Sequence, residues 1–127
     1  MRLVRGADGT VIIDARDNYP RSIGALARYD VLLVNPVRDG LNLVAKEGPL
    51  LNQRDGVLCL SREAGAFEEL AEAVIEVNPF DVLGTATALL QALEMSPQER
   101  SRRATRLRSL AGARTPTDWL EDLLAQA

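Results

Sequence analysis

The stretch DVLLVNPVRDGLNLVAKEG, residues 30–48, decides the fold. Val31 to Val34 form a continuous apolar run, the pattern of a strand buried on both faces of a parallel sheet. Pro36, Asp39, Gly40 and Asn42 then crowd into a few positions, and LNLVAK reads as the start of a helix that carries Glu47. An ordinary turn needs one or two such residues. Strand, glycine turn and helix in this order place the stretch where open α/β sheets bind ligands, beyond the carboxyl ends of their strands.

Working outward, the same alternation recurs. VIID (11–14) follows the turn signal ADG and reads as a short strand. YPRSIGALARYD follows it, with Pro20 suited to a first helical turn and Ile23, Leu26 and Ala27 on one face. GVLCLS (56–61) is the next strand, then a short helix near AFEELAEA, then the strand AVIEV (73–77), ended by Asn78-Pro79. Beyond it the chain is helical. Asp81 is placed to cap a helix whose Val82, Ala86, Leu89, Leu90 and Leu93 recur at i, i+4, i+7, i+8 and i+11 as an apolar stripe. Ser96-Pro97-Gln98-Glu99 combines N-cap, N1 proline and N3 glutamate. Thr115-Pro116 opens a last helix with Trp119, Leu120, Leu123 and Leu124. The pattern predicts an α/β fold: a partial Rossmann-like layered domain with a small, mostly parallel sheet and a helical C-terminal region.

Composition narrows the function. With 127 residues, 46% of them apolar, the chain suits one domain, residues 1–127. A net charge of −3 gives no basic excess, so no nucleic-acid partner is expected. No window approaches the roughly 18 unbroken apolar residues of a membrane span, and MRLVRGADG lacks an apolar signal core, so a cytoplasmic location is expected. Histidine is absent and Cys59 is the single cysteine. That excludes Ser-His triads, imidazole acid–base chemistry, an intrachain disulfide and a cysteine- or histidine-rich metal site. No metal and no cofactor are expected.

Two readings of residues 39–47 stand side by side. Asp and Asn around Gly are ordinary turn and N-cap chemistry, and Lys46-Glu47 suits a solvated helix face. Alternatively, Gly40 lets backbone approach a ligand, and the amides of Leu41, Asn42, Leu43 and Val44 are donors at the positive end of a helix dipole, suited to a phosphate. Asp39 then accepts from a sugar hydroxyl, and Glu47 takes both hydroxyls of a ribose cis-diol.

The whole string is more specific than its parts. DGLNLVAKE, Asp39 to Glu47, closely resembles the donor-binding motif of the trehalose-6-phosphate synthase family, retaining glycosyltransferases built from two Rossmann-like domains. GVLCLSREAGAFEEL, AVIEVNPFD and TDWLEDLL are similar to later segments of that family, so the resemblance runs from about residue 20 to the end. It implies the C-terminal part of a nucleotide-sugar-binding domain, with UDP- or GDP-glucose as donor and a sugar phosphate as acceptor. It implies donor contacts by Asp39 and Gly40, the backbone of Leu41, Asn42, Leu43 and Val44, and Glu47. The family is thought to use no protein nucleophile, the leaving phosphate helping to deprotonate the acceptor, and no catalytic residue is assigned here. Two neighbouring readings are a non-catalytic module that binds a nucleotide or a partner, and a pseudo-glycosyltransferase acting on cyclitols.

The family's proteins are several times longer, so catalysis by these residues alone is not expected. In the strand order 3-2-1-4-5-6, the strand Val31–Val34 would lack a neighbour, and an apolar open edge invites a partner chain or self-association. Within Gly48-Pro49, the proline is expected to remove a hydrogen bond and bend the helix after Glu47. In QERSRRATRLR (98–108) the stripe Ala104, Leu107, Leu110 and Ala111 is the buried face, with the arginines pointing outward. Cys59 reads as a small buried hydrophobe, Trp119 as a packing anchor, and Ser61 lacks the surroundings of a hydrolase nucleophile.

Overall fold

The computed structural model describes residues 2–5, 8, 11–14, 18–115, 117, 118, 121, 124 and 125. The elements in chain order are β1 (Arg2–Arg5), β2 (Val11–Asp14), α1 (Tyr19–Leu26), β3 (Val31–Val34), α2 (Leu43–Leu51), β4 (Val57–Ser61), α3 (Phe67–Leu70), β5 (Ile75–Val77), α4 (Val82–Glu94) and α5 (Pro97–Ala111). A 3-10 turn, Ala71–Ala73, joins α3 to β5.

The main sheet has the order β3-β4-β5 and is parallel throughout, with Val31 beside Val57 and Cys59 beside Ile75. Side chains alternate across β4, so its two faces feed two cores. On one face Val34, Leu58 and Leu60 pack with Ala45 of α2, Leu70 of α3, and Leu107 and Ala111 of α5. On the other, Val57, Cys59, Ile75 and Val77 pack with Ala88 and Ala92 of α4. Helices on both faces of a short parallel sheet make this a partial Rossmann-like α/β fold.

Four expectations are corrected. VIID does not join the parallel sheet: β2 pairs antiparallel with β1, Val11 beside Arg5 and Asp14 beside Arg2, as a separate two-stranded sheet. β3 is not buried on both faces, because among the described residues it pairs only with β4 and lies at the sheet's edge. Leu33 is 40% exposed, and β4 is the strand whose every residue is buried. The stripe on α4 also turns out differently. Ala88 and Ala92 face the sheet with Leu89 partly buried, whereas Val82 is 83% exposed and Leu90 and Leu93 lie outward. Small side chains let the helix lie close to the sheet, so the larger ones at its flank are left outside. AVIEV shortens to Ile75–Val77, because Ala73 is taken by the 3-10 turn.

The arginines of α5 are a further correction. The buried stripe is as expected, with Ala104, Leu107 and Ala111 buried and Leu110 packed against them. The correction is partial: Arg102 and Arg106 lie outward as expected, whereas Arg100, Arg103 and Arg108 turn back onto the protein. Arg100 donates to the carbonyls of Asp30 (3.4 Å) and Asp55 (3.2 Å), and Arg103 to that of Val74 (3.0 Å). Arg108 donates to the Asn52 carbonyl (3.3 Å) and the Asp55 carboxylate (2.9 Å). Asp30, Asp55 and Val74 immediately precede or closely approach the starts of β3, β4 and β5. These arginines therefore staple the amino ends of the sheet, opposite the edge formed by the carboxyl ends of its strands.

Helix starts fall at the cap signals read in the sequence at Asn42, Asp81 and Ser96, and Asn18 adds one that was not read there. Asn18, Asn42, Asp81 and Ser96 accept from the backbone amides of Arg21, Ala45, Gly84 and Glu99. The helix α2 continues through buried Pro49 to Leu51, and its last turn is closed by the Asn52 amide on the Gly48 carbonyl at 2.9 Å. Cys59 is fully buried, which pushes its thiol up to about 11. Thr115 accepts from the Asp118 amide, but Pro116, Trp119, Leu120 and Leu123 lie outside the described residues. Among the described residues no helix is long and apolar enough to cross a membrane.

Candidate functional site

The carboxyl ends of β3 and β4 each run into a loop that leads to a helix. The first loop, residues 35–42, is organised by two side chains. Asp39 Oδ1 accepts from the amides of Leu41 and Asn42, both at 3.2 Å, and its Oδ2 accepts from Asn42 Nδ2 at 2.9 Å. Asn42 caps α2 through Oδ1, which accepts from the Ala45 amide at 3.0 Å. Its backbone is left-handed, φ 44° and ψ 74°, a region that Asn tolerates better than most residues. All seven residues expected at a donor site lie on this turn and the helix it starts.

The turn divides its amides between two uses. Those of Leu41 and Asn42 are held by Asp39. Those of Leu43 and Val44 are the first two of α2, for which the helix itself has no acceptor, and they lie at the positive end of its dipole. A carboxylate offers about four acceptor sites, and the three bonds to Asp39 leave one, on Oδ2. The side chains of Leu41 and Leu43 are exposed, 62% and 55%.

Gly40 separates local from external reasons for a glycine. Its φ lies outside the left-handed region, and a Cβ built on it meets no atom within 4 Å. Neither the turn nor packing requires a glycine at this position. Glu47, half-buried in the second turn of α2, has no hydrogen-bond or ion-pair partner among the described residues, and neither does exposed Arg38. Neighbouring Lys46 differs: its Nζ is 2.7 Å from Glu69, tying α2 to α3. The described residues include no cluster of three or more histidine, cysteine or carboxylate side chains placed to hold a metal.

The second loop supports the first, which sequence reasoning did not anticipate. Ser61, fully buried at the end of β4, donates to the Pro36 carbonyl at 2.8 Å and accepts from the Glu63 amide. The Gly65 amide donates to the Asp39 carbonyl at 2.7 Å, and Asp39 and Ala64 form an isolated parallel bridge. A serine at a strand end and the glycine of AGA were the available signals. Their partners, over twenty residues away, were not visible.

Parallel strands, helices on both faces and a strand, turn and helix at the carboxyl edge define an open α/β domain of the ligand-binding kind. Residues 10–127 match glycosyltransferase family 20, and the chain belongs to that family. It is 43% identical over 119 residues to trehalose-6-phosphate synthase of Sodalis glossinidius, covering 91% of this chain and 25% of that protein. It is 39% identical over 116 residues to validamine 7-phosphate valienyltransferase of Streptomyces hygroscopicus subsp. jinggangensis, covering 91% and 23%. A solved E. coli trehalose-6-phosphate structure bound with UDP-2-fluoro glucose superposes with a TM-score of 0.82 at 34% identity, covering 90% of this chain and 26% of that one. The chain thus spans about a quarter of the length of these relatives.

Proposed function

We propose that residues 1–127 are the nucleotide-sugar-binding part of a retaining glycosyltransferase domain, taking UDP- or GDP-glucose as donor for transfer to a sugar phosphate. The observation that carries this reading is Gly40. It has no intramolecular reason to be glycine, yet it sits between Asp39 and the unpaired amides that begin α2. A diphosphate against the Leu43 and Val44 amides gains charge-assisted hydrogen bonds and the helix dipole, equivalent to about half a positive charge. That is too little to neutralise a diphosphate, so further cations must come from Arg38 or from polypeptide beyond these residues. The remaining site on Asp39 Oδ2 takes one sugar hydroxyl, while Glu47, without a hydrogen-bond or ion-pair partner among the described residues, takes the ribose diol. These groups position the donor and stabilise charge, and none serves as nucleophile.

Calorimetric titration with UDP-glucose and GDP-glucose tests this. Saturable binding of one of them by the wild type, weakened at least tenfold in Glu47→Gln, supports the assignment. Saturable binding of equal strength in wild type and Glu47→Gln removes Glu47 from the site.

A second reading concerns partners. The open edge of β3 with Leu33, and separately the exposed Val82, Leu83, Leu90 and Leu93 of α4, leave apolar side chains that further polypeptide would cover. Self-association or a complementing chain follows from it. A monodisperse monomer by light scattering at high micromolar concentration argues against self-association.

A further inference from the structure

We infer that the loop after β4, through Ser61 and Gly65, is the positioning element of the donor turn; this rests on the donor reading above. The two loops meet at three places, once through a side-chain hydroxyl and twice backbone to backbone. Ser61 Oγ donates to Pro36 O (2.8 Å), Gly65 N donates to Asp39 O (2.7 Å), and Asp39 N donates to Glu63 O (3.4 Å). Pro36 and Asp39 bracket the start of the turn whose amides and carboxylate the donor reading assigns to the ligand. Ser61 is fully buried with both its hydrogen-bonding roles filled from inside the protein, so it is not itself a ligand contact.

Gly65 fixes the distance between the loops. A Cβ on it would lie 2.0 Å from the Gly40 carbonyl oxygen, 2.5 Å from the Gly40 carbonyl carbon and 3.2 Å from the Asp39 carbonyl oxygen. All three are backbone atoms, so no side-chain rotation relieves the contact. The φ of Gly65 lies outside the left-handed region, so alanine carries no dihedral cost of its own and acts only by pushing residues 39–40 away. Separating the atoms to about 3 Å requires a displacement of about 1 Å, enough to spoil a site aligned to within about half an ångström. The two glycines thus differ in kind: Gly40 admits a ligand, and Gly65 admits Gly40.

The test uses Gly65→Ala and Ser61→Ala in the whole chain. Amide spectra without nucleotide should show residues 39–45 shifted in Gly65→Ala while those of α4 and α5 stay in place. UDP-glucose affinity should fall at least tenfold in Gly65→Ala and about fivefold in Ser61→Ala, which removes the two hydrogen bonds of the hydroxyl and adds no atoms. Ser61→Ala keeps the test decisive if Gly65→Ala does not fold. Unshifted 39–45 amides in both variants overturn the positioning role, whatever the affinities. If those amides shift but the wild type binds no nucleotide sugar, the coupling between the loops stands and the donor reading alone fails.

Discussion

Replacing Gly40 with alanine separates stability from binding. The added methyl meets no protein atom within 4 Å, and the backbone at position 40 lies outside the left-handed region. Alanine therefore adopts the native conformation without strain and lowers the entropy of the unfolded chain, a gain of about 0.4–1 kcal/mol. For a chain of this length that corresponds to a rise of roughly 2–5 °C in Tm. The same methyl stands between Asp39 and the Leu43 and Val44 amides, on the surface assigned to the donor. Binding of UDP- or GDP-glucose should weaken at least tenfold, about 1.4 kcal/mol or more. Thermal melts and calorimetric titration of the one variant read both quantities. A loss of more than about 1 kcal/mol of stability would show an internal need for glycine that the packing does not reveal. Unchanged affinity would remove Gly40 from the donor surface.

Other consequences follow from single contacts. Asn42→Ala loses the cap on Ala45 and leaves alanine at φ 44°, a combined cost of about 2 kcal/mol by urea denaturation, whereas Asn42→Gly relieves the backbone and should cost less than half of that. The Tyr29 hydroxyl is buried without a partner among the described residues, and burial pushes it up to about 12. Tyr29→Phe should be neutral or stabilising by up to about 1 kcal/mol, in contrast to the loss expected for a bonded hydroxyl. Hydrogen bonds from Arg102 and then Arg103 bring the Glu99 carboxyl down to about 2. Because its folded value is depressed, its contribution to stability is fully present above about pH 4.5 and disappears as the pH falls towards 2. Glu99→Gln should flatten Tm against pH across that interval and leave the neutral range without this pH dependence.

Local chemistry was legible in the sequence and distant chemistry was not. The turn at 39–42 is held by bonds within four residues, Asp39 to Leu41 and Asn42, and Asn42 to Ala45, so its residue types announce it. The apolar run of β4 announces a central strand for the same reason. The errors arose where a partner far along the chain decides. RLVR shows no strand until VIID pairs with it. On α4 the large residues have the right period, but the sheet selects Ala88 and Ala92 because they allow close approach. Arg100, Arg103 and Arg108 looked solvated because they reach backbone carbonyls up to seventy residues away. The supporting role of Ser61 and Gly65 was hidden for the same reason, since it lies in their contacts with Pro36, Asp39 and Gly40.

The central claim is that the start of α2 receives a nucleotide sugar, and an amide-resolved titration of the labelled chain with UDP-glucose or GDP-glucose tests it most directly. The account predicts saturable shifts largest at Gly40, Leu43, Val44 and Glu47, with the arginine-stapled amino ends of the sheet silent. Saturable shifts centred elsewhere, or a folded chain whose 39–47 amides stay unmoved at millimolar concentrations of both donors, would contradict it.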